Sequence, residues 1–361
     1  SAIASLRRRP GFASRSTYRS PLGPSYAGRR LSSSRSSFPT SASLVLCRVD
    51  MKSSQVASSL VERVGDVLQG KEEVVRLVVV ALLARGHVLV EDVPGVGKTT
   101  LARALAASLG LSFRRLQFTS DLMPADVLGG NVFDRETGAF RFRKGPVFTQ
   151  VLLADEINRT TPRTQSALLE AMNEETVSID GTTHQLPRPF LVIATQNPYE
   201  FEGTYTLPEN QLDRFLMRFG LGYPAPGDEA RILQHQPSRT TLRSLEPVID
   251  TDTIVELQAQ VDAVKIDAAL VDYILQLAMA TREHDDLLIG ISPRGSIALA
   301  QAARATAVLD QRDYCVPEDI VTNVLPVCAH RMISKSARHD GDTTTTRRIM
   351  QQVLETVASP A

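Results

Sequence analysis

The stretch EDVPGVGKTT, residues 91–100, constrains the fold most, because of what surrounds it. The apolar run HVLVE ends at Glu91 and predicts a short buried strand. The segment TTLARALAASLG follows, and its leucines recur at helical spacing before Gly110, a residue that favours the end of a helix. Strand, glycine-rich loop and helix in this order form the phosphate-binding unit of α/β proteins. The sequence therefore predicts an α/β fold with a parallel sheet next to this loop.

The loop fits the end of the pattern G-x-x-x-x-G-K-[ST] but not its beginning. Gly97, Lys98 and Thr99 match, whereas Asp92 stands where the first glycine is expected, which is tolerable if its φ is negative. Taken alone, the loop could also be a glycine-rich connector. As a nucleotide site, it would bind phosphate through inward-pointing backbone amides and the helix N-terminus. The predicted nucleotide-binding residues are Pro94, Gly95, Val96, Gly97, Lys98, Thr99 and Thr100.

Two further apolar runs end in polar side chains suited to the same chemistry. VLLADEINR has four apolar residues followed by Asp155 and Glu156, and FLVIATQNP leads into Asn197. Parallel sheets bind ligands at the carboxyl ends of their strands. We expect Asp155 and the Thr99 hydroxyl to bind Mg²⁺, Glu156 to act as general base, and Asn197 to orient the attacking water.

Several arginines lie later in the chain. Pro208 opens a predicted short helix with Arg214 and Arg218 near its end, and Arg294 opens a long amphipathic helix. Any one of them alone would be interpreted as a surface ion pair. Together with the loop, the acidic pair and Asn197, they occur in the order required by an oligomeric P-loop ATPase.

These segments resemble the MoxR-type AAA+ ATPases over roughly residues 51–335. The resemblance depends on EDVPGVGKT, QFTSDLMPADVLGG, GAFRFRKGPVFTQVLLADEINR, ATQNPYEFEGTYTLPENQLDRFLMRF and SPRG. It implies an AAA+ P-loop core, in which a parallel five-stranded sheet lies between helices, followed by a small all-α lid domain.

The resemblance also implies a role for each candidate residue. Lys98 and Thr99 match the Walker A pair, and Asp155 and Glu156 match the Walker B pair. The remaining matches are Asn197 for sensor 1, Arg214 for an arginine finger offered to the neighbouring subunit, and Arg294 for sensor 2 on the lid. Arg218, which we place one helical turn beyond Arg214, is the alternative finger.

By the same resemblance, the protein would hydrolyse ATP with Mg²⁺ as a homo-oligomer, which we expect to be a hexamer. Its expected role is chaperone-like maturation or activation of a partner complex, with a von Willebrand factor A-domain protein as partner. The alternative is the ATPase subunit of a magnesium-chelatase-like complex.

We divide the chain into a leader (1–50), an AAA+ core (51–225) and a helical lid (226–361). Alternating phenylalanines on both sides of a Glu-Thr-Gly turn predict a β-hairpin insert near 131–145. Beyond residue 230 we see no strand signals, and helices are expected from about residue 250 onward.

Charge separates the leader from the rest. Residues 1–50 hold nine arginines, thirteen serines and one acid, a net charge of +8 that leaves −8 on the remainder. An acidic body argues against nucleic acid as a partner. The leader is expected to be disordered, either as an organellar transit peptide or as upstream sequence before a start at Met51.

The longest apolar run, Leu77 to Ala84, is too short to span a bilayer. We therefore expect no membrane span and a cytoplasmic location, with a plastid or mitochondrion as the alternative if the leader is a genuine transit peptide.

Overall fold

The computed structural model describes residues 51–198, 203–235, 245–336 and 343–360. The predictions for the leader lie outside the described residues. The described α-helices are α1 (Met51–Val67), α2 (Glu72–Leu83), α3 (Lys98–Ser108), α4 (Pro124–Leu128), α5 (Pro162–Glu174), α6 (Glu209–Leu212), α7 (Pro226–His235), α8 (Thr251–Ala263), α9 (Ala268–Arg282), α10 (Pro293–Leu309), α11 (Pro317–Cys328) and α12 (Thr344–Thr356). The described strands are β1 (Val88–Glu91), β2 (Phe113–Gln117), β3 (Gly129–Asp134), β4 (Ala139–Lys144), β5 (Val151–Asp155), β6 (Thr176–Ile179), β7 (Thr182–Gln185), β8 (Leu191–Gln196), β9 (Met217–Phe219), β10 (Leu287–Ile289) and β11 (Ile333–Ser334).

The predicted five-stranded parallel sheet is confirmed. Its strand order is β2-β5-β8-β1-β9, and every pair of neighbours is parallel. The three central strands are apolar along nearly their whole length because both of their faces are covered. The polar residues that end these strands therefore meet at one edge of the sheet.

Successive residues of the central strands enter two different apolar cores. Val88 and Val90 of β1 pack into the first core with α1, α2 and α3, whereas Leu89 faces the second core with α5. The period of two in the strand residues produces this division. The first core extends without interruption into the helices α8 to α12.

The expected helical lid is present, and α8 to α12 supply it. The expectation of no strands beyond residue 230 was wrong, because β10 and β11 pair antiparallel, with Leu287 opposite Ser334. A strand of two or three residues is too short for any periodic pattern to reveal it. The boundary between 225 and 226 stays a prediction.

Two β-hairpins lie outside the five-stranded sheet. The predicted insert is the hairpin of β3 and β4, with Phe133 opposite Phe140 and both side chains more than half exposed. A second hairpin, of β6 and β7, was not predicted, although Asp180 and Gly181 at its turn both have positive φ. An Asp-Gly pair between two short strands is the sequence signal that could have revealed it.

None of the described helices combines the length and the apolar character that crossing a bilayer requires.

Candidate nucleotide site

The predicted phosphate loop connects β1 to α3 and curls as its glycines allow. Gly95 and Gly97 adopt φ of 91° and 105°, values that residues with a Cβ rarely reach. Gly97 caps α3, and Lys98 is the first residue of the helix. The free amides of the first helical turn therefore face the concave side of the loop, where an anion is stabilised.

Asp92 occupies the position of the missing glycine and has a structural role. Its φ is not positive, so the side chain causes no backbone strain. Its carboxylate accepts hydrogen bonds from the amides of Val93 at 2.9 Å and Gly222 at 2.5 Å. Asp92 therefore ties the start of the loop to the chain that follows β9.

Lys98 folds back over its own loop. Its Nζ donates to the carbonyl oxygen of Asp92 at 2.6 Å, and its side chain is half-buried. Burial lowers the pKa of Lys98, and the nearby carboxylates, that of Asp92 foremost, oppose this shift. A phosphate group would supply the negative charge that a partly desolvated ammonium lacks.

Asp155 and Glu156 lie at the tip of β5 and share one partner, Thr195 of β8. The Thr195 hydroxyl donates to Asp155 Oδ1 at 2.6 Å, and its oxygen accepts from the amide of Glu156 at 2.9 Å. The second oxygen of Asp155 accepts from Arg115 Nε at 3.0 Å and Nη2 at 2.5 Å. Both oxygens of this carboxylate are therefore hydrogen-bonded.

The backbone of Glu156 is left-handed, with a φ of 57°. Such a conformation costs a non-glycine residue about 1–3 kcal/mol and is concentrated at functional sites. Its Oε2 accepts from Gln117 at 2.7 Å and forms an ion pair with Arg159 at 3.1 Å. The strained turn directs the carboxylate away from the strand direction and towards these polar partners.

The predicted ligands for Mg²⁺ have suitable chemistry. The hydroxyl of Thr99 and the carboxylate of Asp155 are hard oxygen donors, which this ion prefers, and Thr99 lies in the first turn of α3. The residues present therefore fit the ion.

Asn197 directly follows β8 and is half-buried. Its neighbour Gln196 donates from Nε2 to Glu91, which also accepts from Arg218 Nε at 2.6 Å and Nη2 at 2.5 Å. The tips of β8, β1 and β9 are therefore connected through one carboxylate at the base of the phosphate loop.

The structure separates the two candidate finger residues. The placement of Arg218 one helical turn beyond Arg214 was wrong, because α6 ends at Leu212 and Arg218 lies in strand β9. Arg218 is 6% exposed and is held by Glu91. Arg214 is half-buried against α5, where its Nη1 donates to the carbonyl oxygen of Leu169 at 2.9 Å.

Arg294 lies in the first turn of α10 and forms an ion pair with Asp213, 3.6 Å from Nε to Oδ2. The other oxygen of Asp213 accepts from Arg331 at 2.8 Å. Arg331 also donates to the carbonyls of Phe215 and Leu216, and its side chain is 3% exposed. The segment that carries Arg214 is thus fixed to the lid on its own subunit.

Sequence reasoning missed the residues that hold the acidic pair in place: Thr195, Arg115 and Gln117. Each lies on a strand next to β5, and the alternation of residues along β2 puts Arg115 and Gln117 on one face. Polar residues at strand ends were a signal, but only the order of strands in the sheet shows which carboxylate each one reaches.

Comparison with known proteins agrees with this geometry. Residues 87–217 match the family model "ATPase family associated with various cellular activities (AAA)", and residues 279–353 match "AAA lid domain". The chain is 39% identical to the chaperone MoxR1 of Mycobacterium tuberculosis, across 81% of this chain and 80% of that protein. The chain belongs to the MoxR-type AAA+ ATPases.

Two further proteins are similar to this chain along most of its length. The Bacillus subtilis protein YeaC is 47% identical across 83% of this chain and 93% of its own length. A crystal structure of a Cytophaga hutchinsonii protein assigned as an ATPase superposes with a TM-score of 0.79 at 35% identity, covering 87% and 97% of the two chains. Like other MoxR-type AAA+ proteins, the chain is a nucleotide-binding, ATP-hydrolysing enzyme.

Proposed function

We propose that this MoxR-type protein hydrolyses Mg·ATP at the interfaces of a homo-oligomeric ring, a hexamer. The ring would drive chaperone-like maturation or activation of a partner protein complex. The observation that carries the proposal is the convergence of the phosphate loop, Asp155, Glu156 and Asn197 at the carboxyl edge of one sheet.

Each residue has a defined task in this proposal. The loop amides and Lys98 hold the phosphates, and Thr99 and Asp155 hold Mg²⁺, which neutralises phosphate charge when bound. Glu156 accepts a proton from the attacking water, and Asn197 orients that water. The backbone of Glu156 is fixed at its amide by Thr195, so the base is preorganised with respect to its neighbour Asp155.

The neighbouring subunit would supply Arg214. This arginine donates a hydrogen bond to α5, and its side chain is only partly buried, which leaves it accessible to a second chain. Arg218 is unsuited to this role because it is buried in its ion pair with Glu91. The side chain of Arg294 is 57% exposed and pairs with Asp213, so it would connect the lid to the segment that carries Arg214.

The β3–β4 hairpin is our candidate for the contact with the partner. Phe133 and Phe140 are 52% and 70% exposed and meet edge to face at 5.4 Å between ring centroids. Exposed aromatic pairs of this kind are typical of interaction surfaces. We propose a von Willebrand factor A-domain protein as the partner.

The relatives described above favour a MoxR-like role over the magnesium-chelatase alternative, since the named chaperone matches along most of both chains. These relatives are bacterial, which supports the cytoplasmic location rather than the plastid or mitochondrial alternative.

Mixed rings test the proposal. Lys98→Ala and Arg214→Ala should each lower the rate of phosphate release by a large factor, since arginine fingers contribute about 10³ to 10⁵ in rate. A Lys98→Ala subunit still offers an intact finger to an Arg214→Ala neighbour. Mixing the two variants should therefore restore measurable hydrolysis.

The matched control is a mixture of Lys98→Ala with Glu156→Gln, in which no subunit has a complete site of its own. That mixture should stay inactive. Energy transfer between labelled subunits would verify that the subunits exchange. Hydrolysis at the wild-type rate by Lys98→Ala would contradict the site, and exchanged rings of Lys98→Ala and Arg214→Ala that remain inactive would contradict the role of Arg214.

A further inference from the structure

We propose that Arg115 is a positioning residue that neutralises Asp155 until Mg²⁺ enters the site, and that its release connects metal binding to the placement of Glu156. The inference rests on the proposed function, in which Asp155 holds the ion and Glu156 is the base. It starts from the ion pair between β2 and β5, whose shortest distance, from Arg115 Nη2 to Asp155 Oδ2, is 2.5 Å.

Arg115 occupies the position of a cation at this carboxylate. Its Nε and Nη2 both donate to Oδ2, while Thr195 takes Oδ1, so Asp155 has no oxygen left without a hydrogen bond. Its carboxylate, with a side chain only 12% exposed, is stabilised by a positive charge. An ion that binds Asp155 through Oδ2 must therefore compete with the guanidinium.

Arg115 is able to leave. Its side chain is 46% exposed and lies on β2, one of the two outer strands of the sheet, so the freed guanidinium would be solvated by water. Because the guanidinium is already partly solvated, this ion pair is weaker than one that is buried on both sides. An exchange of Arg115 for a divalent cation therefore has a small intrinsic cost.

The same guanidinium is connected to the base. Arg115 Nη2 also donates to Gln117 Oε1 at 3.1 Å, and Gln117 Nε2 donates to Glu156 Oε2 at 2.7 Å. Arg115 and Gln117 are two residues apart on β2, which places their side chains on one face of the strand. Movement of Arg115 away from Asp155 therefore changes the contacts that hold Gln117, and through it the carboxylate of Glu156.

Equilibrium binding tests the exchange without catalysis. Fluorescent ADP is bound to the full chain at increasing Mg²⁺, and the Mg²⁺ concentration at the midpoint is measured. Arg115→Gln removes the competing cation, so the midpoint should fall by about twofold to fivefold, the factor equivalent to an exposed ion pair. Affinity measured with EDTA should stay within about twofold of wild type.

Two variants are matched controls. Arg114→Gln removes an arginine from the opposite face of β2 and should leave the midpoint unchanged. Arg115→Lys keeps the positive charge and should return the midpoint towards the wild-type value. A midpoint for Arg115→Gln equal to that of Arg114→Gln, or higher than it, would overturn the exchange.

The link to Glu156 has its own measurement. Gln117→Ala leaves the Arg115–Asp155 ion pair in place, so its Mg²⁺ midpoint should remain near wild type while kcat at saturating Mg²⁺ changes. Arg115→Gln should change kcat in the same direction. A normal kcat for Arg115→Gln beside an altered one for Gln117→Ala would refute the link.

Failure of the proposed function can be distinguished from failure of the role proposed for Arg115. If the wild type shows no Mg²⁺-dependent hydrolysis, or Glu156→Gln hydrolyses normally, the proposed function is wrong. If both behave as expected and only the Mg²⁺ midpoint of Arg115→Gln stays fixed, the role of Arg115 alone is wrong.

Discussion

Each outer strand of the sheet carries an arginine that forms an ion pair with a carboxylate, but the two arginines differ in their exposure to solvent. On β9, Arg218 pairs with Glu91 at the tip of β1, and on β2, Arg115 pairs with Asp155 at the tip of β5. In each pair an arginine of an edge strand holds the carboxylate that ends the next strand inward.

The central strand β8 contacts both pairs through consecutive residues. Thr195 donates to Asp155, and Gln196 donates to Glu91. Because β8 lies between β5 and β1, one strand end supports both halves of the site.

Exposure distinguishes the pairs. The Arg218 side chain is 5% exposed, whereas that of Arg115 is 46% exposed. A buried arginine cannot leave its carboxylate without leaving an unpaired charge, so the Glu91 pair fixes the base of the phosphate loop. The Asp155 pair is open to exchange. The same two functional groups thus form a permanent structural ion pair at Glu91 and a replaceable ion pair at Asp155.

The largest expected effect on stability comes from breaking the buried ion pair between Arg218 and Glu91. Arg218→Ala leaves Glu91 with the hydrogen bond from Gln196 but without its buried guanidinium, and removal of one partner from a buried ion pair typically lowers the free energy of unfolding by about 3–5 kcal/mol. Arg115→Ala is the matched variant on the exposed side and should lower it by less, because the half-exposed guanidinium is already partly solvated and its removal leaves no space sealed from water. Chemical denaturation followed by circular dichroism measures both values, and equal losses would show that exposure does not separate the pairs.

Much of this arrangement was predictable because it depends on local pattern. The apolar runs before Glu91 and Asp155, and the run before Asn197, predicted the strands whose ends form the site, and the structure confirms these strands. The β3–β4 hairpin was predictable from alternating phenylalanines for the same reason. Periods of two and 3.6 reflect which side of an element is buried, and that information is present in the sequence.

The pairings across the sheet were not predictable, because they depend on strand order. Arg115 reaches Asp155 only because β2 lies beside β5, forty residues further along the chain. Arg218 was misplaced on a helix because β9 has three residues and is separated by only four residues from the end of the short helix α6. The roles of all the candidate site residues, those of Asn197, Arg214 and Arg294 among them, stay predictions.

Acid should lower the stability of the region around the buried Arg218–Glu91 pair. His330 lines a cleft with Arg218 and Glu91, and its pKa is held well below the ordinary value by burial, with the charges of Arg331 and Arg218 as further causes. The unfolded chain takes up this proton near pH 6.5 and the folded chain does not. Stability is therefore complete above pH 6.5 and falls as the pH drops below it, by up to about 1.4 kcal/mol per pH unit for this group.

Thermal melting of wild type and His330→Gln between pH 7.5 and 5.5 measures this contribution. The variant should lose less stability on acidification, although some loss should remain, because burial also lowers the pKa of His87. Parallel loss in the two proteins would mean that the environment of His330 and Arg218 is wetter than the structure indicates.

The smallest expected effect on stability concerns Asp213, a carboxylate that contacts one exposed arginine and one buried arginine. Asp213 accepts from Arg331, whose side chain is 3% exposed, and pairs at 3.6 Å with Arg294, which is 57% exposed. Arg294→Ala should change the free energy of unfolding by no more than about 1 kcal/mol, because a long, solvated ion pair contributes little and Arg331 still neutralises Asp213.

Arg331→Ala is its matched variant and should cost about as much as Arg218→Ala, since it strips the carbonyls of Phe215 and Leu216 as well as Asp213 of a buried donor. Denaturation curves compare the two variants, which share one carboxylate and differ in the exposure of the arginine and in the number of hydrogen bonds that it makes. If Arg294→Ala proved as destabilising as Arg331→Ala, exposure would not be what makes an arginine of this protein replaceable, and the argument for the exchange at Arg115 would lose its physical basis.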